Sequence, residues 1–253
     1  MARTSAASSS TTDASTEPTP TSTEPRRWGP VAACAGLLVV SNVVSNRVLT
    51  GWGYVAWNAG AAVALLLLAH RLDHATWEDL GLARKDLRRG LRWALVLGGL
   101  VAAAYAVAVA VPDLRDLFRD RRVGNVSTAR MLAEVLVRIP VGTVLLEEVA
   151  FRGVLLGQLK RRLGSVRALG WMGLAFGLWH VLPAWTINTV NPVVTSSGIG
   201  RVPAILGAVV ATALAALPMG WARLRSHSLL APIGLHVTTN SLAYAVAWFV
   251  LRS

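Results

Sequence analysis

At 253 residues, 54% of them hydrophobic, and with a positive mean hydropathy, the chain is too apolar for an ordinary soluble domain and reads as one all-α domain embedded in lipid. The formal charge of +12 does not make it a nucleic-acid reader, because the basic residues gather between apolar runs rather than in one stripe interleaved with aromatics. A lone cysteine, Cys34, inside the first apolar run excludes a disulfide framework and a thiol metal cluster.

Residues 1–27 are dominated by Ser, Thr, Ala and Pro and cannot bury enough apolar surface to order themselves, so a disordered cytoplasmic tail is expected. Arg26 and Arg27 lead straight into a long apolar stretch with no short h-region or small-residue cleavage site, which reads as a retained membrane helix. The remainder, 28–253, is expected to form a polytopic transmembrane helix bundle of about seven spans, at about 30–49, 53–69, 91–111, 136–157, 167–185, 203–222 and 228–250. Arg71, Arg84, Lys85, Arg88, Arg89 and Arg92 crowd the second connection, Lys160, Arg161, Arg162 and Arg167 the fourth, and Arg223 and Arg225 the sixth. With Arg26 and Arg27 they share one side of a seven-span chain, which the positive-inside rule makes cytoplasmic, and the amino terminus is therefore expected inside.

The third connection carries both signs of charge between Asp113 and Arg122, and Leu114, Leu117 and Phe118 have the spacing of a short interfacial helix. Trp28, Trp52, Trp93, Trp185, Trp221 and Trp248 fall near span ends, as an aromatic belt requires. Arg130, Glu134 and Arg138 form an i, i+4, i+8 row that reads as an interfacial charged face.

Polar residues inside the later spans need a separate reason, since a charged residue at mid-membrane costs roughly 2.5–3.5 kcal/mol. They are Glu147, Glu148 and Arg152 in the fourth span, His180 in the fifth, and His236 and Asn240 in the seventh. At 1.5 Å of rise per residue from the cytoplasmic ends, Glu147 lies about 15 Å deep, His180 about 20 Å, His236 about 12 Å and Asn240 about 18 Å. Three helices thus bring polar groups to one broad level. Glu148 and Arg152 are i, i+4 neighbours that can pair, leaving Glu147 free on another face. His236 and Asn240 have the same spacing and can project toward one point, and Phe176, one turn before His180, can wall the site.

The ordered set Glu147-Glu148-x-x-x-Arg152, Phe176-x-x-x-His180 and His236-x-x-x-Asn240 resembles the three motifs of the CPBP (Abi, CAAX protease and bacteriocin-processing) intramembrane endopeptidases. The segment Trp77-Glu-Asp-Leu-Gly-Leu82 is similar to a recurring feature of bacterial members, which implies a bacterial plasma membrane as location. The resemblance covers roughly residues 75–245 and implies proteolysis of membrane-associated protein or peptide substrates near the cytoplasmic half of the bilayer. Carried over residue by residue, it makes Glu147 the general base for a water, His180 the group that holds and polarises that water, and His236 and Asn240 donors to the tetrahedral oxyanion. Glu148, Arg152 and Phe176 would support them.

The residues support this chemistry apart from the resemblance, since amide hydrolysis needs a base beside a water and donors aimed at the developing oxyanion. No cofactor is required in that reading. A divalent metal such as zinc is the alternative, held by Glu147, His180 and His236, although there is no His-Glu-x-x-His helix. Two non-proteolytic functions compete. A proton-coupled transporter would use intramembrane Glu and His as a relay but calls for paired repeats that the sequence lacks. A non-catalytic scaffold or immunity protein would keep the bundle without the reaction. Taken singly, His180 reads as a satisfied core histidine and Asn240 as interhelical glue.

Overall fold

The computed structural model describes residues 28–119, 123–190 and 200–252, and every regular element among them is helical. The expected tail at 1–27 and the end of the third connection, Asp120 to Arg122, lie outside the described residues. Helix α1 (Gly29–Val43) starts with Pro30 in its first turn, where a missing N–H is harmless, and runs on through a π-helical turn, Val44–Val48. Helix α2 is Gly51–Asp73 and ends on His74 in the left-handed conformation. Helix α3 is Leu87–Ala110. The short interfacial helix follows as Pro112–Arg115 with a 3₁₀ turn at Asp116–Phe118; Leu117 is exposed, and Phe118 packs edge-on against Tyr105.

Helix α4 is one continuous rod over 128–163, capped by Ser127, whose hydroxyl accepts from the backbone N–H of Arg130. Its hydrogen bonding widens to the π pattern at Glu134–Val144 and again at Glu148–Leu155. Pro140 lies in the first of these segments; its ring would clash with a carbonyl four residues back in an α-helix, and local widening is one way to accommodate it. In the second segment all eight residues are buried, so this stretch is the axis of the bundle.

Helix α5 (Ser165–Trp179) follows Gly164, whose φ of +79° suits a residue without a Cβ. The predicted fifth span is not continuous. It breaks at His180 and resumes as α6 (Val181–Val190). Pro183 supplies the reason: it has no N–H to give the Trp179 carbonyl, which instead accepts from Asn42 Nδ2 of α1 at 3.0 Å. Helix α7 is Arg201–Ser226 and α8 is Leu230–Val250.

The chain runs up and down, as its cross-contacts show. At one end Asp73 pairs with Arg161 and Arg162, Arg223 donates to the Glu78 and Asp79 carbonyls, and the Leu229 N–H meets the Gly81 carbonyl. At the other end Trp248 Nε1 donates to the Val126 carbonyl and Asn58 to that of Gly142. The basic connections therefore share one end of the bundle. Helices α3 and α8 approach so closely that a Cβ at Gly234 would overlap Ala94, and α5 and α7 do the same where a Cβ at Gly177 would stand 2.6 Å from the Val209 carbonyl.

Among the described residues four helices are long and apolar enough to cross a membrane: 29–48, α2, 84–110 and α7. Leu91, Leu95, Val96, Leu100 and Val107 of α3 are exposed, the pattern of a face meant for lipid. The row from Arg130 to Arg138 differs from a plain interfacial face: Glu134 is buried and shares its carboxylate between Arg138 at 2.9 Å and Arg130 at 3.4 Å.

Candidate active site

Glu147 and Glu148 sit where α4 passes from a short α-helical stretch, Leu145–Glu147, into its second π segment, and the two carboxylates have different surroundings. Glu148 is fully buried, and its Oε1 accepts from Arg152 Nη1 at 3.0 Å and stands 2.7 Å from His236 Nδ1. One acid oxygen thus ties the expected Glu148–Arg152 pair to α8. Arg152, also fully buried, lays its guanidinium over the Phe176 ring at 4.1 Å and reaches Met219 Sδ of α7 at 3.4 Å.

Glu147 is buried as well, but it is not free of partners as expected. Trp179 Nε1 donates to its Oε1 at 3.0 Å, while Oε2 has no hydrogen-bond partner and lies 3.9 Å from His236 Nε2. A buried acceptor without a donor is costly, and such exceptions call for an explanation. Asn240 Nδ2 stands 3.0 Å from the same His236 Nε2. An acid oxygen on Nδ1 and the Asn240 amide on Nε2 together suit the imidazole tautomer with its proton on Nδ1.

His180 occupies the break between α5 and α6. Its Nδ1 is 2.8 Å from the Phe176 carbonyl and its ring packs against the Phe176 ring at 4.6 Å. Phe176 stands between His180, Arg152 and His236, whose ring lies 6.5 Å away, so it does wall the group. Glu147 and His180 line a common cavity of about 260 Å³ with Ser45, Asn46, Tyr54 and Asn58. His236 and Asn240 are not in its lining. The cavity extends from Glu147 toward the α1–α2 connection, the end of the bundle opposite the basic connections, rather than toward the basic end.

The wall contributed by α1 and α2 is absent from the sequence-derived site. Ser45 donates to Asn58 Oδ1 at 2.5 Å, Asn58 Nδ2 to the Gly142 carbonyl at 2.6 Å, and Tyr54 and Thr143 hydroxyls meet at 3.0 Å. Two signals were present in the sequence: Ser41 and Ser45, and Asn42 and Asn46, repeat at i, i+4 in a segment otherwise apolar, and Trp179 immediately precedes His180.

The zinc alternative requires Glu147, His180 and His236 to be gathered around one point. Among the described residues no three His, Cys, Asp or Glu side chains are grouped to hold a metal ion.

Residues 129–242 match the family model described as type II CAAX prenyl endopeptidase Rce1-like. No curated protein and no solved structure matches the chain. The matched segment starts in the first turn of α4 and closes just past Asn240, taking in every motif residue of the buried polar cluster, and across it the chain is similar to the CPBP family of intramembrane endopeptidases.

Proposed function

We propose that the chain is an endopeptidase that hydrolyses peptide bonds of membrane-associated protein substrates with a water activated by Glu147. The observation that carries this reading is Glu147: its Oε2 is buried without a hydrogen-bond partner, 3.9 Å from His236 Nε2, and the residue lines a cavity shared with His180. A carboxylate oxygen with spare acceptor capacity beside a cavity is what a general base needs in order to take a proton from water. His180, whose Nδ1 is held by the Phe176 carbonyl, has Nε2 left to orient that water. Asn240 and His236 then serve the oxyanion, Asn240 through Nδ2 and His236 through Nε2 when that atom carries a proton, while Glu147 takes the proton of the attacking water and delivers it to the amine as the C–N bond breaks. Glu148 keeps the imidazole oriented throughout, and Arg152 and Phe176 keep Glu148 in place.

The same reading takes 28–253 as a seven-span protease domain in a bacterial plasma membrane, with its basic end and amino terminus inside and 1–27 as a cytoplasmic tail. The decisive experiment is cleavage of a membrane-associated peptide by purified protein and by Glu147→Gln. Loss of cleavage with an unchanged unfolding temperature is the expected result; full activity in Glu147→Gln removes Glu147 from its role.

A further inference from the structure

A second cavity, of about 240 Å³, lies on the other side of the Arg152 layer, at the basic end between α4 and α7. Its lining includes Arg152, Lys160, Arg161 and Arg223 against Glu78 and Asp79. Both acids are already engaged: Glu78 pairs with Lys85, and Asp79 accepts from the Thr76 backbone and hydroxyl, each at 2.9 Å, and pairs with Arg161 at 3.2 Å. Arg152 is held by Glu148. Lys160 and Arg223 make no ion pair among the described residues, and Arg223, only 6% exposed, spends one nitrogen on two backbone carbonyls while its buried Nε has no partner. The guanidinium fits where it does because position 81 is glycine: a Cβ there would overlap it, Nε first.

We propose that this cavity binds the phosphate group of a phosphate ester, with the headgroup of an anionic lipid as its source. A nearly buried guanidinium and an exposed ammonium on one cavity wall, neither in an ion pair, match phosphate better than a cation or a neutral ligand. The cavity sits at the end where Trp93 and Trp221 stack edge-on at 5.3 Å and where basic connections gather, which is the level of headgroups for a helix bundle in lipid. Basic pockets between membrane helices on this side are known places for anionic headgroups. At about 30 Å³ per water the space takes roughly eight waters, enough for a phosphate with part of its hydration. This site stands independently of the role given to Glu147.

The test uses the full chain in nanodiscs of phosphatidylcholine with and without phosphatidylglycerol, read by retained lipid in native mass spectrometry and by unfolding temperature, and in detergent with inorganic phosphate. Phosphatidylglycerol is expected to be retained and to raise the unfolding temperature. Lys160→Gln should weaken binding about fivefold and Arg223→Gln more, while Arg88→Gln, an exposed charge at the same end but off the cavity, should leave it unchanged. Where Arg223→Gln fails to fold, Lys160→Gln decides. Stabilisation by inorganic phosphate but not by the lipid, lost in Lys160→Gln, keeps the phosphate site and makes free phosphate its source. Binding of neither probe, or equal weakening by Lys160→Gln and Arg88→Gln, overturns the proposal.

Discussion

Among the described residues, α1 with its π-helical turn, α2, α3 and α7 are long and apolar enough to cross a membrane, whereas α4, α5 with α6, and α8 carry the whole Glu147–Asn240 set and do not meet the same standard of length and apolarity. The first group presents Leu and Val outward; the second is interrupted by two π segments, a break at His180 and the polar run from His236 to Asn240. The difference teaches that the residues giving this bundle its chemistry are also those that lower the hydropathy and regularity of their helices. Hydropathy alone therefore finds the scaffold before it finds the site.

The strongest way to break that comparison lies within α4. Glu147→Gln should lower turnover by about 10²–10⁴-fold, the range for a general base, and leave thermal unfolding unchanged, since Oε2 has no partner to lose. Its neighbour should behave in the opposite sense. Arg152→Met leaves two buried carboxylates with no cation beside them and is expected to destabilise by about 3–5 kcal/mol, measured as a fall in unfolding temperature in detergent. If Arg152→Met proved as stable as the parent, the buried pair would not be what holds α4 to α8.

At the border of the two groups, Asn58→Ala removes the donor to the Gly142 carbonyl and the acceptor for Ser45, and should cost about 1–3 kcal/mol. A smaller effect belongs to the basic end. Burial pushes the Asp79 carboxyl up, but the hydrogen bonds from Thr76 and the Arg161 guanidinium outweigh it and leave its pKa below the usual value. A carboxyl whose folded pKa is depressed stabilises the fold above its unfolded pKa, about 3.9, and loses that contribution as pH falls through the lower folded value. Asp79→Asn should therefore lower stability at neutral pH, where the ionised carboxyl contributes in full, and flatten the acid-side loss, so that parent and variant converge as pH falls through that window. Least of all, Leu95→Ala on the exposed face of α3 should shift stability by no more than about 0.5 kcal/mol, and a large fall would show that this face is not free for lipid.

Local patterns made much of this legible. The i, i+4 spacing of Glu148 with Arg152, and of His236 with Asn240, is a property of one helix and survives in the structure as direct contacts. The break at His180 is not apparent in the sequence, which reads as one span over 167–185, because a proline near a helix end, here Pro183, looks the same whether it stops a helix or merely bends it. Burial of Glu134 was not legible, because it depends on Arg130 and Arg138 folding over it rather than toward solvent.

The sequence by itself determined an all-helical, lipid-compatible chain, an alternation that sends its basic connections to one end, and an ordered polar set of CPBP type, because hydropathy and helical spacing are properties of neighbouring residues. Only the tertiary structure decided that Glu148, not Glu147, takes His236 Nδ1, that Trp179 holds one oxygen of Glu147 and leaves the other unpaired, and that α1 and α2 wall the cavity. Those contacts join residues 32 to 88 positions apart, and which atoms meet across such distances depends on how helices pack and where they widen or break, which no single segment encodes.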